Sequence, residues 1–352
     1  TFLQCLLVCL GRFLWCGSTR TVHRETIICD MRIVQKWYFI TVLFVFGLQS
    51  LAEGQTCSCA GAPLISSQSV SSVSGGNLLF GLTYEYKDIS NIYSGSEQLD
   101  HQTVTRNTQS TLLEISYGIT DRLTVSGTAT FVRKYRETGL QSPVAGDVLI
   151  TKGIGDGLVM LKYVLHQNTI QEQYQLAVGG GAKVPFGRSN LTQDGLMLNA
   201  DMQPGSGAWD GVIWSYFSKS FAPATTLNFF LYSTYRRTGT NQRFSNNDRY
   251  KFGNELIVNA GVSNKISSKL SYIALAGYRS ASSDMRNGNP MPDTGGKWVS
   301  LNPSLRYQLS NGISLKASGQ IPIYQHLNGL QPTTSFSTSL SVFYNFGGNV
   351  IF

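Results

Sequence analysis

The chain has 352 residues, 14% of them charged and 42% hydrophobic, with a formal net charge of +8. Mean hydropathy is near neutral at −0.06, which excludes a bundle of membrane helices but not a membrane β-barrel, whose strands alternate apolar and polar residues. The positive charge is mild and scattered, and this argues against a nucleic-acid partner.

Residues 31–54 read as a secretory signal peptide. Arg32 and Lys36 form its positive start, Trp37 to Leu48 its apolar centre, and Ser50-Leu51-Ala52 a small-x-small cleavage site. Residues 1–30 precede a complete signal and are expected to be upstream translation outside the mature fold. They hold Cys5, Cys9, Cys16 and Cys29, and without residues 1–54 the chain keeps 23 basic and 17 acidic residues. Cys57 and Cys59 alone remain, so the mature chain is no disulfide scaffold. Residues 55–76 are Ser/Gly-rich and are expected to be a flexible periplasmic segment. Within it Cys57-Ser58-Cys59 is a soft-ligand pair that suits a thiophilic metal such as Cu(I); the other reading is a flexible segment whose two cysteines are oxidised or unused.

From Asn77 to the end the sequence keeps a two-residue period. The expected strands are 77–88, 104–118, 122–136, 157–166, 172–185, 208–221, 225–237, 250–263, 268–280, 297–309, 312–323 and 336–352. Most are longer than the five or six residues typical of soluble proteins, and they suit a tilted membrane crossing of about 9–11 residues. In the tenth, Val299, Leu301, Leu305, Tyr307 and Leu309 share one face, with Ser300, Asn302, Ser304, Arg306 and Gln308 on the other. Short links (119–121, 167–171, 222–224, 264–267, 310–311) take turns with long ones (89–103, 137–156, 186–207, 238–249, 281–296, 324–335). Tight turns at one end and long loops at the other are the pattern of outer-membrane barrels, and they make the strand number even. The fold expected is therefore all-β: a transmembrane, antiparallel, up-and-down β-barrel of about 12 strands over residues 77–352.

Tyr84, Tyr86, Tyr117, Tyr163, Tyr235, Tyr278 and Trp298 lie near expected strand ends, where interfacial girdles form. The last strand carries an alternating apolar face through Tyr344 and Phe346 to the terminal Phe352. It resembles the C-terminal signal read by the barrel-insertion machinery.

No catalytic set is visible. His101, His166 and His326 have no Gly-x-Ser-x-Gly companion, and no cofactor is expected. Loop acids Asp147, Asp156, Asp194, Asp201, Asp248, Asp284 and Asp293 match no metal-ligand template and read as solvated charges. Gly179-Gly180-Gly181 is read as relief of crowding at a bend. The inward faces offer Arg122, Lys162, Lys183, Arg236, Arg279, Arg306 and Lys316 with Glu114 and Glu255 as lumen-lining candidates. A basic lumen favours anionic solutes; alternatively these charges pair with one another and only fill the barrel.

Three stretches, Gly153-Ile154-Gly155-Asp156-Gly157-Leu158, Gly180-Gly181-Ala182-Lys183-Val184-Pro185-Phe186-Gly187 and Gln203-Pro204-Gly205-Ser206-Gly207-Ala208-Trp209-Asp210, carry a resemblance, as does Ile321-Pro322-Ile323-Tyr324-Gln325-His326-Leu327-Asn328-Gly329. With these motifs the chain resembles the outer-membrane "transporter" barrels grouped as the putative MetA-pathway of phenol degradation family, architectural relatives of the FadL-like channels. The resemblance implies a barrel that passes small molecules, aromatic ones among them, across the outer membrane of a Gram-negative bacterium, with both termini periplasmic and outer-membrane lipid around it. It implies no catalytic residue. The segment before the barrel is short for a FadL-type plug. Rival functions are a non-transporting barrel acting as receptor, adhesin or anchor through its loops, and an accessory to periplasmic metal handling through Cys57 and Cys59.

Overall fold

A computed structural model describes residues 72–99, 104–138, 148–167, 173–221, 226–245 and 248–347. The signal peptide, Cys57, Cys59, Asp147 and Phe352 lie outside the described residues. Twelve strands form a closed antiparallel barrel. They are β1 (Leu78–Asp88), β2 (Val104–Gly118), β3 (Leu123–Thr138), β4 (Gly157–His166), β5 (Tyr174–Val184), β6 (Asp210–Ser220), β7 (Asn228–Arg237), β8 (Glu255–Lys265), β9 (Leu270–Ala281), β10 (Gly296–Gln308), β11 (Ile313–Thr333) and β12 (Phe336–Phe346). Each pairs with the next, and β12 closes on β1 from Leu78↔Phe346 to Asp88↔Phe336. Closure gives every strand two neighbours, so no edge of the barrel is left with unpaired backbone groups.

Local chemistry explains the tight turns. Thr120 Oγ1 accepts hydrogen bonds from the Arg122 and Leu123 N–H groups at 3.2 and 3.0 Å, and Ser267 Oγ does the same for Lys269 and Leu270. Such hydroxyl caps hold a reversal that the backbone alone satisfies poorly.

The alternation sorts side chains by solvent. On β10 Leu301, Leu305 and Tyr307 are exposed on the outer wall, while Ser300 and Ser304 are buried inside. The same sorting on β3 buries Thr124, Ser126, Thr128 and Thr130. An outer wall this rich in exposed Leu, Ile, Val and Phe meets lipid rather than water. Tyr117, Tyr163, Tyr307 and Tyr344 mark its tight-turn rim, with Tyr235, Tyr278 and Phe336 near the long-loop rim. Trp298 corrects the girdle assignment: it lies on the inner face with Ser300, buried, its indole N–H donating to Thr333 Oγ1 at 3.1 Å.

The long links are not irregular coil. Val148–Ile154 pairs with the upper part of β3, and two loops combine into a four-stranded sheet of Asn241–Ser245, Asp248–Lys251, Met285–Arg286 and Asn289–Pro290. β11 runs well past the expected end at 323 because Ile323 is a bulge: Val299 pairs with Tyr324 but Ser300 with Pro322. The bulge reverses which face each later residue takes. Gln320 pairs with Ser337, so the residues between them leave the rim and return, doubling back at Asn328 and Gly329, where φ is +64°.

At the other mouth, the segment before β1 lies against the barrel. The Val73 N–H donates to Thr124 Oγ1 at 3.0 Å, and the Val73 side chain packs on Leu79 and Phe343.

Candidate functional site

The inner wall near the long-loop rim carries a row of charges of alternating sign. Lys183 Nζ lies 2.9 Å from Asp156 and 3.1 Å from Asp210; Arg236 bridges Asp210 at 3.4 Å and Glu255 at 3.0 Å; Glu255 also binds Arg279. The Arg279 guanidinium then lies 4.5 Å from the centre of the Trp298 ring. Successive strands supply successive members, from Asp156 just before β4 to Trp298 on β10. Lys183 and Arg236 are each 1% exposed and Asp156 is fully buried, so in this low-dielectric setting each charge depends on its neighbours of opposite sign. The glycines at 179 and 181 serve this wall by leaving room. A Cβ at Gly179 would lie 3.2 Å from the Trp214 ring, and one at Gly181 2.7 Å from the Met160 side chain.

The link between β5 and β6 folds inward and is latched to that row. Asp156 accepts from the Ser206 N–H, the Ser206 hydroxyl and the Gly187 N–H at 3.0, 2.6 and 3.2 Å. Asp201, in a short 3-10 turn at Ala200–Met202, pairs with buried Arg106 of β2. Lys134 of β3 donates to the Asp201 and Gln203 carbonyls, both at 2.7 Å, and Thr151 Oγ1 donates to Met202 O at 2.6 Å. The two arms of the loop touch at Gly187 and Gly205, where a Cβ on either would come within 2.6 Å of the other's backbone. Ala200 packs with Phe244, Tyr250 and Phe252, so the loop sheet backs the inward loop.

The three signature stretches therefore meet in space. The first supplies Asp156, the second Lys183 and Gly187, and the third Gly205, Ser206 and Asp210. Asp156, Asp201 and Asp284 were expected as solvated loop charges, and the structure corrects this: Asp156 and Asp284 are buried, the Asp201 side chain is 6% exposed, and all three are bonded. An acid between two glycines, as Asp156 is between Gly155 and Gly157, looks like surface loop in sequence, and only the return of the β5–β6 link reveals its partners. Asp284 accepts from the Tyr250 hydroxyl at 2.6 Å and the Gly253 N–H at 2.7 Å, while burial pushes its carboxyl up to about 6.

Of the residues singled out in the sequence, Lys183, Arg236, Glu255 and Arg279 belong to this row. Glu114, Lys162, Arg306 and Lys316 form a second inner layer closer to the tight turns. Glu114 lies within electrostatic reach of both Lys162 and Lys316, and Arg306 stands directly opposite Lys316 on the neighbouring strand. Arg122 stands apart, exposed in the turn between β2 and β3. Tyr344 and Phe346 face outward on β12, their rings edge to face at 4.1 Å.

Comparison with known proteins agrees with this architecture. The COG4313 outer membrane channel from Pseudomonas putida F1 superposes with a TM-score of 0.61 at 15% identity, covering 78% of this chain and 97% of that one, which shows a shared fold. The NanC porin (TM-score 0.43, 16% identity, 76% of this chain and 98% of that one) is a more distant similarity. So is a FadL homologue from Pseudomonas aeruginosa (TM-score 0.40, 12% identity, 77% and 91%). No curated protein matches the chain. The sequence profile described as "Putative MetA-pathway of phenol degradation" matches residues 95–324, a span that takes in the whole latch from Asp156 to Asp210 and the charge row through Trp298, and the chain belongs to that family.

Proposed function

We propose that the chain is an outer-membrane channel for small solutes, non-enzymatic, with the β5–β6 loop as its constriction. The observation that carries this reading is the inward loop itself. It is held by buried Asp156, Arg106 and Lys134 of the barrel wall, across an interior whose wall carries hydroxyls and charges together with an apolar cluster at Leu158, Met160, Val164, Val212 and Trp214. A barrel serving only as an anchor has no need of a loop fastened across its interior, whereas a pore gains a size limit from one. In this reading the long-loop end faces outward and both chain ends are periplasmic. The Tyr344 and Phe346 face, continuing toward Phe352, serves insertion. The family resemblance favours small aromatic compounds as cargo.

A resting channel closed at both mouths is the second reading. It is favoured by Val73 lying against Thr124, Leu79 and Phe343 at the tight-turn mouth. Purified protein reconstituted in planar bilayers separates the possibilities. Discrete conductance steps, with liposome uptake of small solutes, support the channel. A barrel that inserts yet neither conducts nor admits solute returns the chain to the receptor or anchor class.

A further inference from the structure

We propose that the outer wall at the long-loop rim seats a phosphate-bearing lipid headgroup, with Arg133 of β3 and Lys152 of the paired strand Val148–Ile154 clasping the phosphate. In the orientation proposed above this is a lipid of the outer leaflet. The inference rests on that orientation and does not need the barrel to conduct.

Strand register sets the pair. Arg133 and Lys152 stand directly opposite each other, and alternation turns both outward, since their chain neighbours Lys134 and Thr151 are buried on the inner side. Like charges so placed repel and weaken the pairing of the two strands. Among the described residues neither forms an ion pair. Lys183 and Arg236 of the inner row, by contrast, each lie within 3.4 Å of two carboxylates. The carboxylates on this part of the outer face are already engaged, Glu137 by the Tyr135 hydroxyl at 2.6 Å and Asp88 by the Ser90 hydroxyl. An anion from outside the chain relieves the repulsion between Arg133 and Lys152.

Neighbours at the same level complete a headgroup site. Gln109 pairs with Arg133 and Tyr86 with Gln109, so two cations, an amide and a phenol run side by side across four strands. The Tyr86 ring lies 6.1 Å from that of Phe336, which places the row at the aromatic girdle, the depth of lipid headgroups. A guanidinium fork matches two phosphate oxygens, an ammonium adds a point charge, and the amide can bond a sugar hydroxyl. Two residues nearer the tight turns the surface becomes apolar. Phe131 and Ile154 are exposed and directly paired, and exposed Ile115 and Val159 continue that surface toward the bilayer centre. Cations at headgroup depth with hydrocarbon wall beside them fit a phosphorylated lipid rather than a free anion. Lipid A, a phosphorylated glucosamine lipid of the outer leaflet, has this chemistry.

Native mass spectrometry of the full chain in detergent measures retention of added lipid A, with planar-bilayer conductance recorded alongside. Lipid A stays bound, while dephosphorylated lipid A, phosphatidylglycerol and inorganic phosphate each bind at least tenfold less tightly. The Arg133→Gln, Lys152→Gln double variant weakens lipid A at least tenfold. Arg133→Lys keeps part of the affinity, and Lys297→Gln, which removes an exposed cation elsewhere on the same rim, changes nothing. Heat-dependent gel mobility checks that each variant is folded, and conductance stays at the wild-type value because the substitutions lie on the lipid side of the wall. Lipid A binding that ignores the double substitution overturns the site, as does equal retention of the dephosphorylated form. Inorganic phosphate binding as tightly as lipid A overturns the lipid assignment, and a preference for phosphatidylglycerol overturns the choice of leaflet. Conductance without lipid A binding overturns the site and leaves the channel standing; lipid A binding without conductance keeps the site and removes the channel.

Discussion

Asp156 accepts two hydrogen bonds from Ser206, one from the backbone N–H at 3.0 Å and one from the hydroxyl at 2.6 Å. A residue just before β4 thus grips the far arm of the β5–β6 loop, and the same carboxylate is one end of the alternating charge row.

Replacing Asp156 with alanine removes both functions at once. Breaking a buried pair costs roughly 3 kcal/mol or more, and here the loss falls on loop docking, since the backbone ladders of the barrel are untouched. The expected outcome is a barrel that still inserts and resists unfolding, with faster protease cleavage between Gly187 and Gly205 and a larger single-channel conductance. Wild-type protection of the loop in the Asp156→Ala variant would show that the latch does not hold it.

Arg236 sits at the middle of the row, between Asp210 and Glu255. Arg236→Met leaves two buried carboxylates facing each other with one cation fewer, at a cost of about 3–5 kcal/mol. Adding Glu255→Gln removes one of those charges, so the double variant is expected to be more stable than Arg236→Met alone. Unfolding by guanidinium chloride, followed by the heat-dependent gel mobility of folded barrels, orders the two. A double variant weaker than the single would contradict the pairing.

Much of the barrel was legible in the sequence because its signals are local. The expected strands at 104–118 and 157–166 coincide with β2 and β4, and the period of two sets the inner and outer faces of β3 and β10 directly. The alternation of link lengths gave an even strand number, and the barrel has twelve. What escaped depends on contacts between distant segments. The bulge at Ile323 is marked by the adjoining Pro322, which reads equally well as the end of a strand, and this is why β11 was expected to end there. Lys183, Arg236, Glu255 and Arg279 were each visible as inward charges in chain order, but the register that brings them to one level is set by pairing between strands. Of their partners, Asp210 borders and Asp156 grips a loop whose inward fold no periodicity announces.

The two arms of that loop cross at glycines. A Cβ on Gly205 would stand 2.5 Å from the Gly187 backbone, closer than any real contact, and neither side is a flexible side-chain tip. Gly205→Ala is therefore expected to undock the loop and to reproduce the conductance and protease phenotype of Asp156→Ala. Gly211→Ala is the control, because a Cβ there meets nothing within 4 Å. If both substitutions are silent, the arms are not packed as closely as described.

Asp284 gives the loop sheet a pH dependence. Its carboxyl is raised from 3.8 to about 6, chiefly by burial, with the hydrogen bonds from Tyr250 and Gly253 opposing the rise. The folded loops thus hold a proton that the unfolded chain releases near pH 4. The associated stability is fully present below about pH 4, declines as pH rises between 4 and 6, and is gone above that range. Hydrogen exchange of residues 248–253 and 284–294, corrected for intrinsic rates, is expected to be slower at pH 4 than at pH 7. Asp284→Asn keeps the neutral side chain at every pH and should flatten the profile. A wild-type sheet equally protected at both values would mean that Asp284 stays ionised, or that its burial is relieved when the loops move.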